Sequence, residues 1–118
     1  MSSLLQKWRH EAKTQLPELL NELANAIKNV HPGCTVILFG SYARGEQNED
    51  SDLDICVLVD KLTYDRTDMR VDVYTAIRRD FPLPIDVLLY TYDEFRESAI
   101  KRSRIQYKIN NEGVVLSA

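Results

Sequence analysis

A fold of the α/β or α+β class, centred on a small sheet, is what the sequence predicts. Three short runs rich in β-branched, aliphatic and aromatic residues, Thr35 to Phe39, Leu53 to Val59 and Ile85 to Tyr90, carry strand signatures. Segments with apolar residues at helical spacing flank and separate them. The chain has 118 residues, enough for one core, and reads as a single domain over 1–118. With 44% hydrophobic and 28% charged residues it belongs with folded globular chains rather than disordered ones.

The elements follow in order. Leu4, Leu5, Trp8 and Ala12 recur at helical spacing, and Leu16, Leu19, Leu20, Leu23, Ala24 and Ile27 continue the pattern. A break near residues 13 to 16 is expected, where Thr14 can cap a new helix with Pro17 in its first turn. Pro32-Gly33 ends this region before the first strand. After the second strand, residues 60 to 68 are polar and connect. Met69, Val73, Ile77 and Phe81 then predict an amphipathic helix whose exit is bracketed by Pro82 and Pro84. Thr91 and Glu94 have capping-box spacing and open a helix expected to run to about Lys108, with Asn110, Asn111 and Gly113 stopping it. Val114 to Leu116 read as a short terminal strand or a cover for the core. The pattern leaves strand order open.

Cys34 and Cys56 lie in or beside apolar runs without CxxC spacing, so both are read as reduced core residues. The first eight residues hold no signal-peptide core, and no run approaches the ~20 apolar residues a membrane span needs. A cytoplasmic location is the expectation. The net charge of −3 gives the whole molecule no attraction for nucleic acid.

Residues 40 to 54, GSYARGEQNEDSDLD, concentrate the chemistry. Asp52 and Asp54 are two residues apart, so on an extended chain both carboxylates emerge on one face, which Cys56 and Leu58 continue. Leu53, Ile55, Val57 and Val59 form the other face. Asp86 adds a third acid in the next strand. Clustered carboxylates repel unless cations or strong donors compensate them, and hard oxygen donors suit Mg²⁺. Ahead of them, Gly40 permits a tight backbone path from the first strand, and Ser41 to Arg44 can begin a short helix whose N–H groups and Ser41 hydroxyl meet an anion. Gly45 can end that helix, and Arg44 is available to a phosphate or to the nearby acids. Glu46, Glu49 and Asp50 read as a solvated loop. Together these features fit a nucleoside triphosphate site. Each has a simpler reading when taken alone: a turn, a polar loop edge, a capping acid.

GSYARGE, then SDLDICV, then the strand aspartate of PIDVLLY resemble the signature of the minimal nucleotidyltransferases of the DNA polymerase beta-like superfamily, with signature region 35–90 and likeness from about Thr35 to Leu116. The resemblance implies a small mixed β-sheet with helices packed mainly on one face. It implies that Gly40 and Ser41 grip triphosphate oxygens, that Arg44 and Gly45 complete the corner, and that Asp52, Asp54 and Asp86 are catalytic and ligate Mg²⁺, two ions in all. ATP is the implied donor and AMP the transferred group.

Minimal members resemble the antitoxin half of two-gene modules whose other half is a HEPN toxin. The resemblance implies a hetero-oligomer with that partner and AMP transfer to one of its tyrosine hydroxyls. Trp8, Tyr42, Tyr64, Tyr92 and Tyr107 are candidates for the shared surface. Two other readings stand beside this one: a catalytically quiet antitoxin acting by contact, and transfer to a small hydroxyl compound. The basic residues of 96 to 108, with Arg66, Arg70, Arg78 and Arg79, read as solvated helix faces, so nucleic acid is not the leading acceptor.

Overall fold

The structure, a computed structural model, describes residues 16–117. The expected helix at Leu4 to Ala12, the Thr14 cap, the Trp8 surface residue and all of the expected break near 13 to 16 except Leu16 lie outside the described residues. The elements are α1 (Leu16–Val30), β1 (Thr35–Phe39), α2 (Ser41–Arg44), β2 (Leu53–Val59), α3 (Arg66–Ala76), β3 (Ile85–Thr91), α4 (Tyr92–Ala99), α5 (Ile105–Glu112) and β4 (Val114–Ser117). The strands form one mixed sheet in the order β3-β2-β1-β4. β1 runs antiparallel to β2 and to β4, and β2 runs parallel to β3. The first two predicted strands match the structure at both ends. The terminal segment pairs with β1 as an edge strand.

Alternation along the strands separates two apolar layers. Val36, Leu38, Leu53, Ile55, Val57, Val87 and Leu89 meet Leu19, Leu23 and Ile27 of α1 and Met69 and Val73 of α3. Each fully buried aliphatic side chain here contributes about 1.5–3 kcal/mol by leaving water. Ile37, Phe39, Cys56 and Leu58 point the other way and are covered by Phe95 and Ala99 of α4 and Ile109 of α5. The two longer helices thus occupy one face and two eight-residue helices the other. β2 is buried on both sides from Ile55 onward, because α4 and α5 cover the face that carries Asp54 beyond its first two residues.

Two helices differ from their predicted length. The 69–81 periodicity gives a helix only to Ala76; Ile77 is already extended, and its N–H turns back to the Tyr74 carbonyl. Ile77 and Phe81 still pack on the first core, reached by a loop instead of a helical face. The helix expected from Thr91 to Lys108 is two helices. Thr91 and Glu94 do form the capping box, with Glu94 N–H donating to Thr91 Oγ1 at 3.1 Å and Thr91 N–H to Glu94 Oε1 at 2.9 Å. Beyond Ala99 the next turn of helix would present Arg102 and Ser103 to the apolar layer. Instead the chain turns through Lys101 and Arg104, whose N–H groups reach the Ser98 and Lys101 carbonyls, and α5 returns Ile109 to the second core.

The outer border of β3 is sealed by α3. Tyr74 Oη accepts from Val87 N–H at 2.8 Å, Arg70 Nε donates to the Val87 carbonyl at 3.0 Å, and Arg66 Nη1 donates to the Leu89 carbonyl at 2.8 Å. Arg66 and Arg70 are therefore structural donors, not the solvated face the sequence suggested. Arg66 also holds the Glu94 carboxyl far below its ordinary range, at about 2, with the Thr91 backbone adding to the effect. No helix among the described residues is long and apolar enough to cross a membrane.

Both cysteines are free and buried, as expected. Burial pushes the Cys56 thiol up to about 12 and raises Cys34 as well. Since the thiolate is the reactive form, neither should react with a maleimide over minutes at pH 7, and both should react in guanidinium. Rapid labelling of the native chain, read by intact mass, would contradict this burial.

Candidate active site

The corner after β1 is built by its glycines and by Asp54. Gly40 has φ 75° and ψ −156°, a backbone region essentially confined to glycine. A Cβ there would lie 2.1 Å from Asp54 Oδ2, so the Asp54 carboxylate rests where any other side chain would begin. α2 starts at once: the N–H groups of Ala43 and Arg44 return to the Gly40 carbonyl at 3.1 Å each. Those of Ser41 and Tyr42 precede any helical acceptor. Gly45, left-handed at φ 72°, closes the helix, with Glu46 N–H reaching the Ser41 carbonyl at 2.9 Å. The loop that follows is pinned by Asn48 and Ser51: Asp50 N–H donates to Asn48 Oδ1 at 2.8 Å and Asn48 N–H to Ser51 Oγ at 2.9 Å. That turn delivers Asp52 to the start of β2.

Sheet register then sets the acids. Asp54 is paired with Phe39 of β1 on one side and with Asp86 of β3 on the other. Register partners project from the same face of adjacent strands about 4.8 Å apart. Both acids line an open cavity of about 370 Å³ with Gly40, Ser41 and Arg44, and with Leu88, Ile105, Lys108 and Glu112. This volume is in the range of small-ligand pockets. Asp52 is exposed, precedes the strand and is not part of the cavity lining.

The electrostatics are those of an uncompensated acid group. The Asp54 carboxyl lies above its ordinary range, first because burial penalises the charge and then because Asp86 and Asp52 repel it. Arg44 opposes the shift only in part, being committed elsewhere. Its Nε donates to Glu46 at 3.0 Å, and its Nη1 donates to both oxygens of Glu112 at 3.1 Å. Glu112 also accepts the Gly40 N–H at 3.1 Å. Of the two partners the sequence allowed for Arg44, the acids are the ones it meets here.

Among the described residues no group of three or more His, Cys, Asp or Glu side chains comes together in a way that could hold a metal ion. Asp54 and Asp86 nonetheless suit magnesium. That ion needs only one or two protein carboxylates, taking its other ligands from water and phosphate, and a carboxylate made costly by like charges gains from a cation.

The structure thus brings Gly40, Ser41, Arg44, Asp54 and Asp86 to one cavity and leaves Asp52 and Gly45 at its margin. The sequence reading missed Glu112, and it placed Lys108 on a solvated face although Lys108 lines the cavity. Of the surface candidates, Tyr42 is buried in the first core, which removes it from any partner surface. Tyr92 is half-buried with its hydroxyl 2.6 Å from Thr35 Oγ1, whereas Tyr64 is exposed.

Comparison with known proteins fits this geometry. A family profile described as a nucleotidyltransferase domain matches residues 20–111. Two Methanocaldococcus jannaschii proteins, both named as candidate protein adenylyltransferases, are each 31% identical to the chain. One alignment covers 64% of this chain and 75% of the relative, the other 66% and 76%. A crystal structure of a toxin-antitoxin with AMP-PNP contains a similar chain, with TM-score 0.55 and 25% identity over 84% of this chain and 73% of that one.

Proposed function

This chain belongs to the nucleotidyltransferase domain family, and we propose that it transfers AMP from ATP, with magnesium, to a hydroxyl group. The acceptor is a tyrosine of a HEPN toxin, which the chain binds in a hetero-oligomer in the cytoplasm and neutralises as its antitoxin. Residues 1–118 act as one domain. The observation that carries the reading is the register pairing of Asp54 with Asp86 beside the Gly40-Ser41 corner, all lining one cavity. The likeness to two proteins named as candidate protein adenylyltransferases supports AMP transfer, and the likeness to a toxin-antitoxin structure supports the partner.

In this reading Ser41 and the N–H groups that open α2 hold phosphate oxygens, while Gly40 lets the backbone approach them closely. Arg44 and Gly45 keep the corner folded. Asp54 and Asp86 would hold magnesium, with Asp52 proposed as a third ligand from the margin of the cavity, and the ion would supply charge neutralisation on the triphosphate and acidify the acceptor hydroxyl. The acceptor oxygen forms a bond to the α-phosphorus as the bond from that phosphorus to the departing pyrophosphate breaks. Asp86, exposed and part of the cavity lining, would lie nearest the acceptor hydroxyl.

The test uses the full chain with the protein encoded beside it, incubated with ATP and Mg²⁺ and followed by intact mass. One or more adenylyl groups are expected on the partner, and none with Asp52→Asn. Neutralisation without mass change, retained by Asp52→Asn, would replace transfer by inhibition through contact. Adenylation of a small hydroxyl compound with no protein partner would replace the acceptor.

A further inference from the structure

Part of the cavity lining is one stripe of α5. Ile105, Lys108 and Glu112, at helical spacing, line it, while Ile109, next to the stripe, is buried in the second core. α5 is therefore held from two sides, by Ile109 beneath and by Glu112 bonded to Gly40 and Arg44.

The charges facing the cavity are unevenly committed. Asp54, Asp86 and Glu112 are acids, and Arg44 has both Glu112 and Glu46 as partners. Lys108 is the other cation in the lining, and it makes no ion pair or hydrogen bond among the described residues. A triphosphate entering such a cavity meets an arginine already neutralised by two carboxylates. The lysine, a flexible point charge with three donors, has nothing to give up.

Resting on the reading of this cavity as a nucleoside triphosphate site, we propose that Lys108 is a further substrate-contacting residue that binds the phosphates beyond the α position. Its contribution goes to holding ATP rather than to the sheet or the core. The contact separates ligands by phosphate number: ATP reaches Lys108 and AMP does not.

The full chain, alone and with its partner, is titrated by calorimetry with ATP and with AMP in Mg²⁺, as wild type, Lys108→Met and Lys108→Arg. Loss of a charge-assisted contact is expected to weaken ATP binding about tenfold or more in Lys108→Met, with AMP changed less than about twofold. Lys108→Arg should restore most of the ATP affinity, and melting temperatures should coincide. ATP binding by Lys108→Met equal to wild type overturns the assignment, as does an equal loss for ATP and AMP. Failure of wild type itself to bind either nucleotide under both conditions would instead overturn the nucleotide reading, and this proposal with it.

Discussion

Gly40→Ala is expected to remove nucleotidyl transfer and to lower stability by about 2–4 kcal/mol. Two costs add. The backbone at φ 75° and ψ −156° is one that alanine adopts only under strain, and its methyl group would overlap Asp54 Oδ2 at 2.1 Å. Relief requires either β1 to back away from β2 or the Asp54 carboxylate to leave the cavity. Gly45→Ala is the control, since Gly45 also has positive φ but no neighbouring atom within 4 Å of a Cβ. It should cost only about 1 kcal/mol. Thermal unfolding and transfer assays on both variants check this; equal stability of the two would show that the Asp54 contact imposes no constraint.

Asp54→Asn should separate activity from stability. Transfer is expected to fall by about 10²–10³-fold or more, the scale of removing a group that stabilises charge at a reacting centre. Folding should be unharmed and, without metal at pH 7, modestly improved. The sign follows from the raised pKa. The folded state holds the Asp54 proton more tightly than the unfolded chain, so ionisation costs stability above that raised value. The cost shrinks as pH falls through that raised value and is gone below the ordinary carboxylate range. A neutral amide at this position carries no such cost. Wild type should therefore gain stability on mild acidification by a component that Asp54→Asn lacks, and its melting temperature should rise with Mg²⁺ while that of the variant stays flat. A variant less stable than wild type in metal-free buffer at pH 7, or one that retains transfer, would refute this account of Asp54.

Much of this was legible because the signals are local. Thr35–Phe39 and Leu53–Val59 stand out since β-branched runs bounded by polar residues have few other uses. The Thr91 cap was readable because a capping box lies within four residues. The corner at Gly40 and Ser41 follows from turn chemistry and the face that carries Asp54 from strand alternation, whereas the pairing of Asp54 with Asp86 depends on strand order, which the pattern left open. What was not legible depends on distant chain. Periodicity carried Ile77 and Phe81 into a helix although the core reaches them through a loop. The same pattern could not reveal that α5 must double back to bury Ile109. Glu112 closes a contact 72 residues away from Gly40, and no spacing rule announces such a partner. Tyr42 looked like a surface aromatic only because burial is decided by which way a four-residue helix faces.

The seal on β3 bears on how this molecule can assemble. An outside strand arriving there would find the Val87 amide and the Val87 and Leu89 carbonyls already engaged, and would have to displace a tyrosine and two arginines to gain them. Endless stacking of sheets needs two receptive borders per molecule, and the sheet of the described residues offers at most the β4 side. Association through main-chain pairing can thus close a couple but cannot propagate a fibre.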